Sequence, residues 1–123
     1  MAKNETSREK LLSIAGPDIS SSVEAKKLCD LIIIVRKFQI LAWTVTIEGL
    51  PFDKSHFKEK DGDFTAKFPQ FAVEGRLDVA IDGTGALGAV LGARIFADNK
   101  EKGDLIAKVK KGISCRAEES YDV

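Results

Sequence analysis

Cysteine, proline, histidine and net charge are all scarce in this chain. Its 123 residues include two cysteines, three prolines, one histidine and one tryptophan. Two cysteines are too few for a disulfide scaffold, and Cys29 and Cys115 fit neither a paired metal motif nor a redox pair. Cys29 lies in an apolar stretch and reads as a small buried residue, and a bridge to Cys115 would require an oxidising compartment. Lys plus Arg and Asp plus Glu number 19 each, so the formal net charge is zero. That balance argues against attraction of the whole molecule to nucleic acid or to an acidic membrane. The longest apolar run, Leu31 to Val35, falls far short of the roughly 20 residues that span a bilayer. Met1 to Lys10 is polar and lacks the apolar core of a secretory leader, so the expectation is a cytoplasmic protein. With hydrophobic residues at 44% and charged residues at 31%, the composition is that of an ordinary globular domain, here residues 1–123.

The N-terminal part carries helix signals. Thr6 and Glu9 have capping-box spacing, Leu11, Leu12, Ile14 and Ala15 follow, and Gly16-Pro17 closes, which predicts a helix over 7–15. Ser21 and Glu24 repeat the spacing. Val23, Leu28, Leu31, Ile32 and Val35 then recur at helical period, predicting a second helix over 22–36. Against it, Ile32, Ile33, Ile34 and Val35 are β-branched and favour a strand starting near Leu31.

From Trp43 the period is two. Trp43, Val45 and Ile47 alternate with Thr44, Thr46 and Glu48, and Gly49-Leu50-Pro51 ends the strand. Residues 52–63 read as a polar loop with room for one helical turn, and Phe64 to Phe68 as a short strand stopped by Pro69. Phe71, Val73, Leu77, Val79 and Ile81 alternate with charged residues, as in an antiparallel strand with one wet face. Asp82-Gly83-Thr84-Gly85 supplies turn residues, 87–97 a returning strand, 98–103 a second turn, and Leu105, Ala107 and Val109 a further strand. Gly112 reads as a bulge before Ile113 and Cys115, and Glu118 to Val123 as a frayed acidic tail. The predicted class is α+β: two N-terminal helices, then a four- to five-stranded antiparallel sheet packed on the second helix.

Gly83-Thr84-Gly85-Ala86-Leu87-Gly88 is a literal G-x-G-x-x-G after a predicted strand, with Asp104 near the position of a ribose-binding acid. Over Val79 to Arg94 the chain resembles the phosphate turn of a Rossmann domain. That resemblance implies a nucleotide or phosphate on the amides of a helix start. Too few residues follow for a doubly wound sheet, and the preceding strand has a charged face. The plainer reading is a hairpin turn and a small-residue strand. Interior glycines weaken a strand by about 0.5–1 kcal/mol each, so close approach of another backbone, a partner or a ligand should offset them. Gly85, Gly88, Val90, Gly92 and Phe96 are therefore the candidate interface, because Val90, Gly92 and Phe96 would make a second face of that strand apolar.

Other signals are thinner. His56 could act as a general base, but no nucleophile or second base accompanies it, and a solvated loop histidine is the plainer reading. Asp53, Glu59, Asp61 and Asp63 lack the spacing of a calcium loop, so no metal, cofactor or catalytic residue is assigned. Lys100, Lys102, Lys108, Lys110, Lys111 and Arg116 make a basic region without interleaved aromatics, which reads as a solvated face. The leading expectation is a non-enzymatic protein assembling with itself or with a protein partner, without nucleic acid or membrane. The alternatives are the nucleotide binder and a ligand-binding or catalytic cup, by analogy with cystatin-like and nuclear transport factor-like cones, whose pocket would have converging polar groups, His56 or Asp78 for example.

Overall fold

The computed structural model describes residues 26–123, so the predicted helix over 7–15 and the Ser21/Glu24 cap of the second lie outside the described residues. Seven strands run β1 (Lys26–Ile47), β2 (Leu50–Asp53), β3 (Lys58–Lys60), β4 (Asp63–Glu74), β5 (Leu77–Ala97), β6 (Lys100–Lys108) and β7 (Ser114–Tyr121), with one 3-10 turn at Lys54–His56. The α+β prediction is therefore corrected: among the described residues there is no α-helix, and Lys26 to Arg36 is the start of a 22-residue strand. Cys29, Leu31, Ile33 and Val35 point into the core at strict period two. The β-branched run decided the matter over the helical spacing. No helix among the described residues is long and apolar enough to cross a membrane.

β1 and β5 organise the sheet. The first half of β1 pairs with β4 on one side and with the second half of β5 on the other. Its second half pairs with β2 and with the first half of β5. β6 extends the second half of β5, and β7 extends the first half. All pairings are antiparallel. Both long strands bend midway, β1 at Phe38 to Ala42, where the register slips twice, and β5 around Gly85 to Gly88. The continuous sheet thus folds on itself into two leaves. The first holds β3, β4, the first half of β1, the second half of β5 and β6. The second holds β2, the second half of β1, the first half of β5 and β7.

One core lies between the leaves. Ile33, Val35, Leu91 and Ile95 enter from the first leaf, and Val45, Ile47, Val79 and Ile81 from the second. Trp43, on the second leaf, meets Phe64 of β4 edge-on at 5.4 Å and Phe57 at 5.0 Å. At one open side Phe52, Phe68 and Phe71 stack among themselves. At the other, Tyr121 of β7 lies so close over Gly103 of β6 that a Cβ there would stand 2.8 Å from the ring.

Several boundaries differ from expectation for physical reasons. Phe71 to Ile81 is not one strand: Gly75 (φ +76) and Arg76 carry the chain from the first leaf to the second, and odd residues face inward on both sides of that arch. Phe64 to Phe68 is not stopped by Pro69, because β4 continues through a bulge at Pro69-Gln70, where the Asp30 carboxylate accepts from the Gln70 amide at 2.9 Å. Asp82 to Gly85 is strand and not turn, and the actual tight turn into β6 is Asp98-Asn99, with positive φ at both residues. Residues 109–113 cross to the second leaf, so Ile113 does not continue β6, and the acidic tail is paired as β7. Both cysteines are free thiols, Cys29 buried and Cys115 half-buried, and burial pushes both above the usual thiol range.

Candidate interaction face

The outer surfaces of the two leaves differ sharply. On the second leaf the outward residues are mostly polar, with Ala42, Pro51 and Ala80 the small exceptions. Arg116 donates to Asp82 at 2.7 and 2.8 Å and to Glu118 at 2.7 Å. The Ser120 hydroxyl donates to Asp78, and Arg76 donates to the Ser120 carbonyl at 2.8 Å. Asp78 is thus held within a cross-strand lattice. His56 stands elsewhere, its Nδ1 3.3 Å from Asp53 and its ring edge-on to Phe52. Asp53 pairs with Thr44, whereas Val79, next to Asp78, pairs with Ile47. The structure therefore does not bring His56 and Asp78 together. Among the described residues, no three His, Cys, Asp or Glu side chains are grouped to hold a metal ion. The basis of the cup analogy, two helices ahead of a sheet, falls with the corrected fold.

The glycine hexad is also placed differently from its sequence reading. Residues 86–97 continue β5, so no helix start stands at Gly83 to Gly88. The Gly85 amide donates to the Ile113 carbonyl at 2.8 Å and the Gly88 amide to the Val109 carbonyl at 2.8 Å. Each glycine has its own surroundings. A Cβ at Gly85 would meet the Gln39 carbonyl at 2.5 Å and the Ala89 Cβ at 3.0 Å. Gly88 has φ +89 with open space around it. Both belong to the bend, Gly85 buried inside it and Gly88 at its crest. Gly92 is unlike them: its φ is unexceptional, and a Cβ there would lie 3.6 and 3.8 Å from its nearest neighbours, ordinary contact. Nothing within the described residues requires glycine at position 92.

Gly92 lies at the centre of the first leaf's outer face. Across β1 it pairs with Arg36 and across β6 with Ile106. Ile34 opposes Arg94, Ile32 opposes Phe96, and Phe38 opposes Val90. Ile32, Ile34, Val90 and Phe96 are half-buried, and Ile106 is exposed. Around Gly92 is a hollow of about 220 Å³ whose rim includes Ile34, Ile106, Arg36, Asp63, Arg94 and Asp104. Val90, Gly92 and Phe96, singled out from the sequence, do share this face. Ile32, Ile34 and Ile106 complete it, and the helical reading of 22–36 concealed the first two.

The charges on the rim are ordered. Arg36 makes a two-pronged contact with Asp63, at 2.7 and 3.0 Å. Arg94 donates to Glu101 at 3.1 Å, lies 3.8 Å from Asp104 and stacks on Phe96 at 5.2 Å. The Arg36 hydrogen bond holds Asp63 below the usual carboxylate range, and the Arg94 hydrogen bond does the same for Glu101. Folded values below the unfolded ones mean that each pair stabilises fully above the unfolded carboxylate range, about pH 4, and is lost as pH falls through the folded value. These pairs are exposed, so the effect is modest and screened by salt. A lower denaturation midpoint at about pH 3 than at neutrality is expected, with a shallower pH dependence in Asp63→Asn. An unchanged slope in that variant would contradict the assignment.

Compared with known proteins, the chain matches no family model, no curated protein and no solved structure.

Proposed function

We propose that this chain is a non-enzymatic assembly protein and that a second copy of it covers the outer face of the first leaf. The observation that carries the reading is Gly92. The bend accounts for Gly85 and Gly88, but no contact among the described residues accounts for a glycine within a half-buried, largely apolar face. A side chain there would stand up from the sheet and hold an opposing surface away. The rim supports the same partner. Two arginines and two acids line the hollow, in the strand order Asp63, Arg36, Arg94, Asp104, so a copy related by a two-fold axis can set its arginines against the other's carboxylates. The apolar centre provides the burial that drives association.

Light scattering on the full chain tests this. Twice the chain mass is expected at high concentration. Gly92→Val is expected to weaken association at least about tenfold, equivalent to roughly 1.4 kcal/mol. The denaturation midpoint of the monomer should be unchanged or slightly raised, because valine favours a strand and its Cβ meets no clash here. A parent chain that stays monomeric at every concentration would overturn the proposal, as would an undiminished dimer of Gly92→Val.

A further inference from the structure

We infer that the ridge where β1 and β5 bend between the leaves is a contact surface for an anionic lipid bilayer. Three segments run side by side there: residues 37–42, 84–90 and 108–114. Ile40 pairs with Gly85, Gly85 donates to the Ile113 carbonyl, and Val90 pairs with Lys108. On this ridge Leu41 is 88% exposed, Leu87 69% and Ile113 70%. The same segments contain Lys37, Lys108, Lys110 and Lys111 and not one Asp or Glu. Among the described residues, no carboxylate forms an ion pair with any of these lysines. A chain of zero net charge therefore carries a locally basic strip alongside three of its most exposed aliphatic side chains, with Asp53 and Asp82 on the adjoining surface.

Both features fit a bilayer surface better than a folded partner or a nucleic acid. The aliphatic tips project into solvent, Leu41 beside a hollow of about 520 Å³ that Asp53 and Lys54 also line; a rigid partner would have to match this relief, whereas a lipid layer deforms around it. Flanking lysines reach the headgroups with their ammonium groups while their stems lie along the apolar layer. The backbone is also prepared for a dry environment. The Gly85 and Gly88 amides and the Val109 amide are all hydrogen-bonded across the ridge, at 2.8, 2.8 and 2.9 Å. Dehydrating this corner would leave these three amides satisfied. A nucleic acid would press leucine and isoleucine tips against phosphates and find only Phe38 to stack on.

The test is co-sedimentation of the full chain with phosphatidylcholine vesicles, with and without phosphatidylserine. Binding is expected only with phosphatidylserine, weakened by salt. Two variants separate the contributions: Leu41→Ser/Leu87→Ser/Ile113→Ser and Lys110→Glu/Lys111→Glu. None of these side chains belongs to the core, and each variant is expected to bind at least tenfold more weakly at an unchanged denaturation midpoint. Gly92→Val should bind vesicles as the parent does, which keeps this result separate from self-association. No binding to phosphatidylserine vesicles would overturn the inference. So would a serine variant that binds like the parent, equal binding to a duplex oligonucleotide, or a serine variant that loses the dimer and not the lipid.

Discussion

Gly85→Ala is expected to lower the stability of the fold by about 3 kcal/mol, a large part of what a small domain has. The added Cβ would stand 2.5 Å from the Gln39 carbonyl and 3.3 Å from the Ile40 Cα, both backbone atoms that no rotamer change can move. Gln39 itself has φ +59, so the strand it would have to displace is already in an uncommon conformation. The two neighbouring glycines provide the scale. Gly88→Ala meets no atoms but keeps its positive φ, which points to a loss of about 1–2 kcal/mol. Gly92→Ala should be silent or mildly stabilising. Denaturant titration followed by the fluorescence of the single tryptophan would give all three values. A Gly85→Ala midpoint equal to that of Gly92→Ala would mean that the two strands do not approach as described.

Trp43→Ala should produce a comparable or larger loss, about 4 kcal/mol. Trp43 is 5% exposed and carries contact between the leaves, meeting Phe64 on the first leaf and Phe57 in the connection. Truncation removes the burial of a large ring, leaves a cavity, and takes away two edge-to-face contacts of roughly 0.5–1.5 kcal/mol each. Trp43→Phe keeps most of the volume and should lose markedly less. Far-UV circular dichroism is the appropriate signal, since the substitution removes the fluorophore. If the alanine variant melted with the parent, the two leaves would not be held at this point.

The strands whose outer face is polar were legible. Trp43 to Ile47 alternates cleanly because Thr44, Thr46 and Glu48 face away from the core, and Leu105 to Val109 is legible from Asp104, Lys108 and Lys110 despite its outward Ile106. The first half of β1 was not legible, and the cause is chemical. Ile32 and Ile34 are apolar although they lie on the outside, so Leu31 to Val35 shows no alternation and its spacing also satisfies a helix. The property that hid the strand is the one that makes its outer surface a candidate for assembly. The glycine hexad was misread for a related reason. Glycine serves a tight turn, a phosphate loop and a bent strand equally well, and only the Gln39 carbonyl pressed against Gly85, from 46 residues earlier in the chain, shows which applies. Lys100, Lys102, Lys108, Lys110, Lys111 and Arg116 read in the sequence as a solvated face, and the β1 segment around Leu41 is brought towards Lys108 only through pairings distant in sequence, Phe38 with Val90 and Val90 with Lys108.

Because β1 and β5 each run unbroken through both leaves, neither layer owns its central strands. Heat, denaturant or a protease finds no seam along which one half could come away while the other stayed intact. The amides of Val45 and Ile95, one in each leaf, are expected to exchange with the same opening free energy.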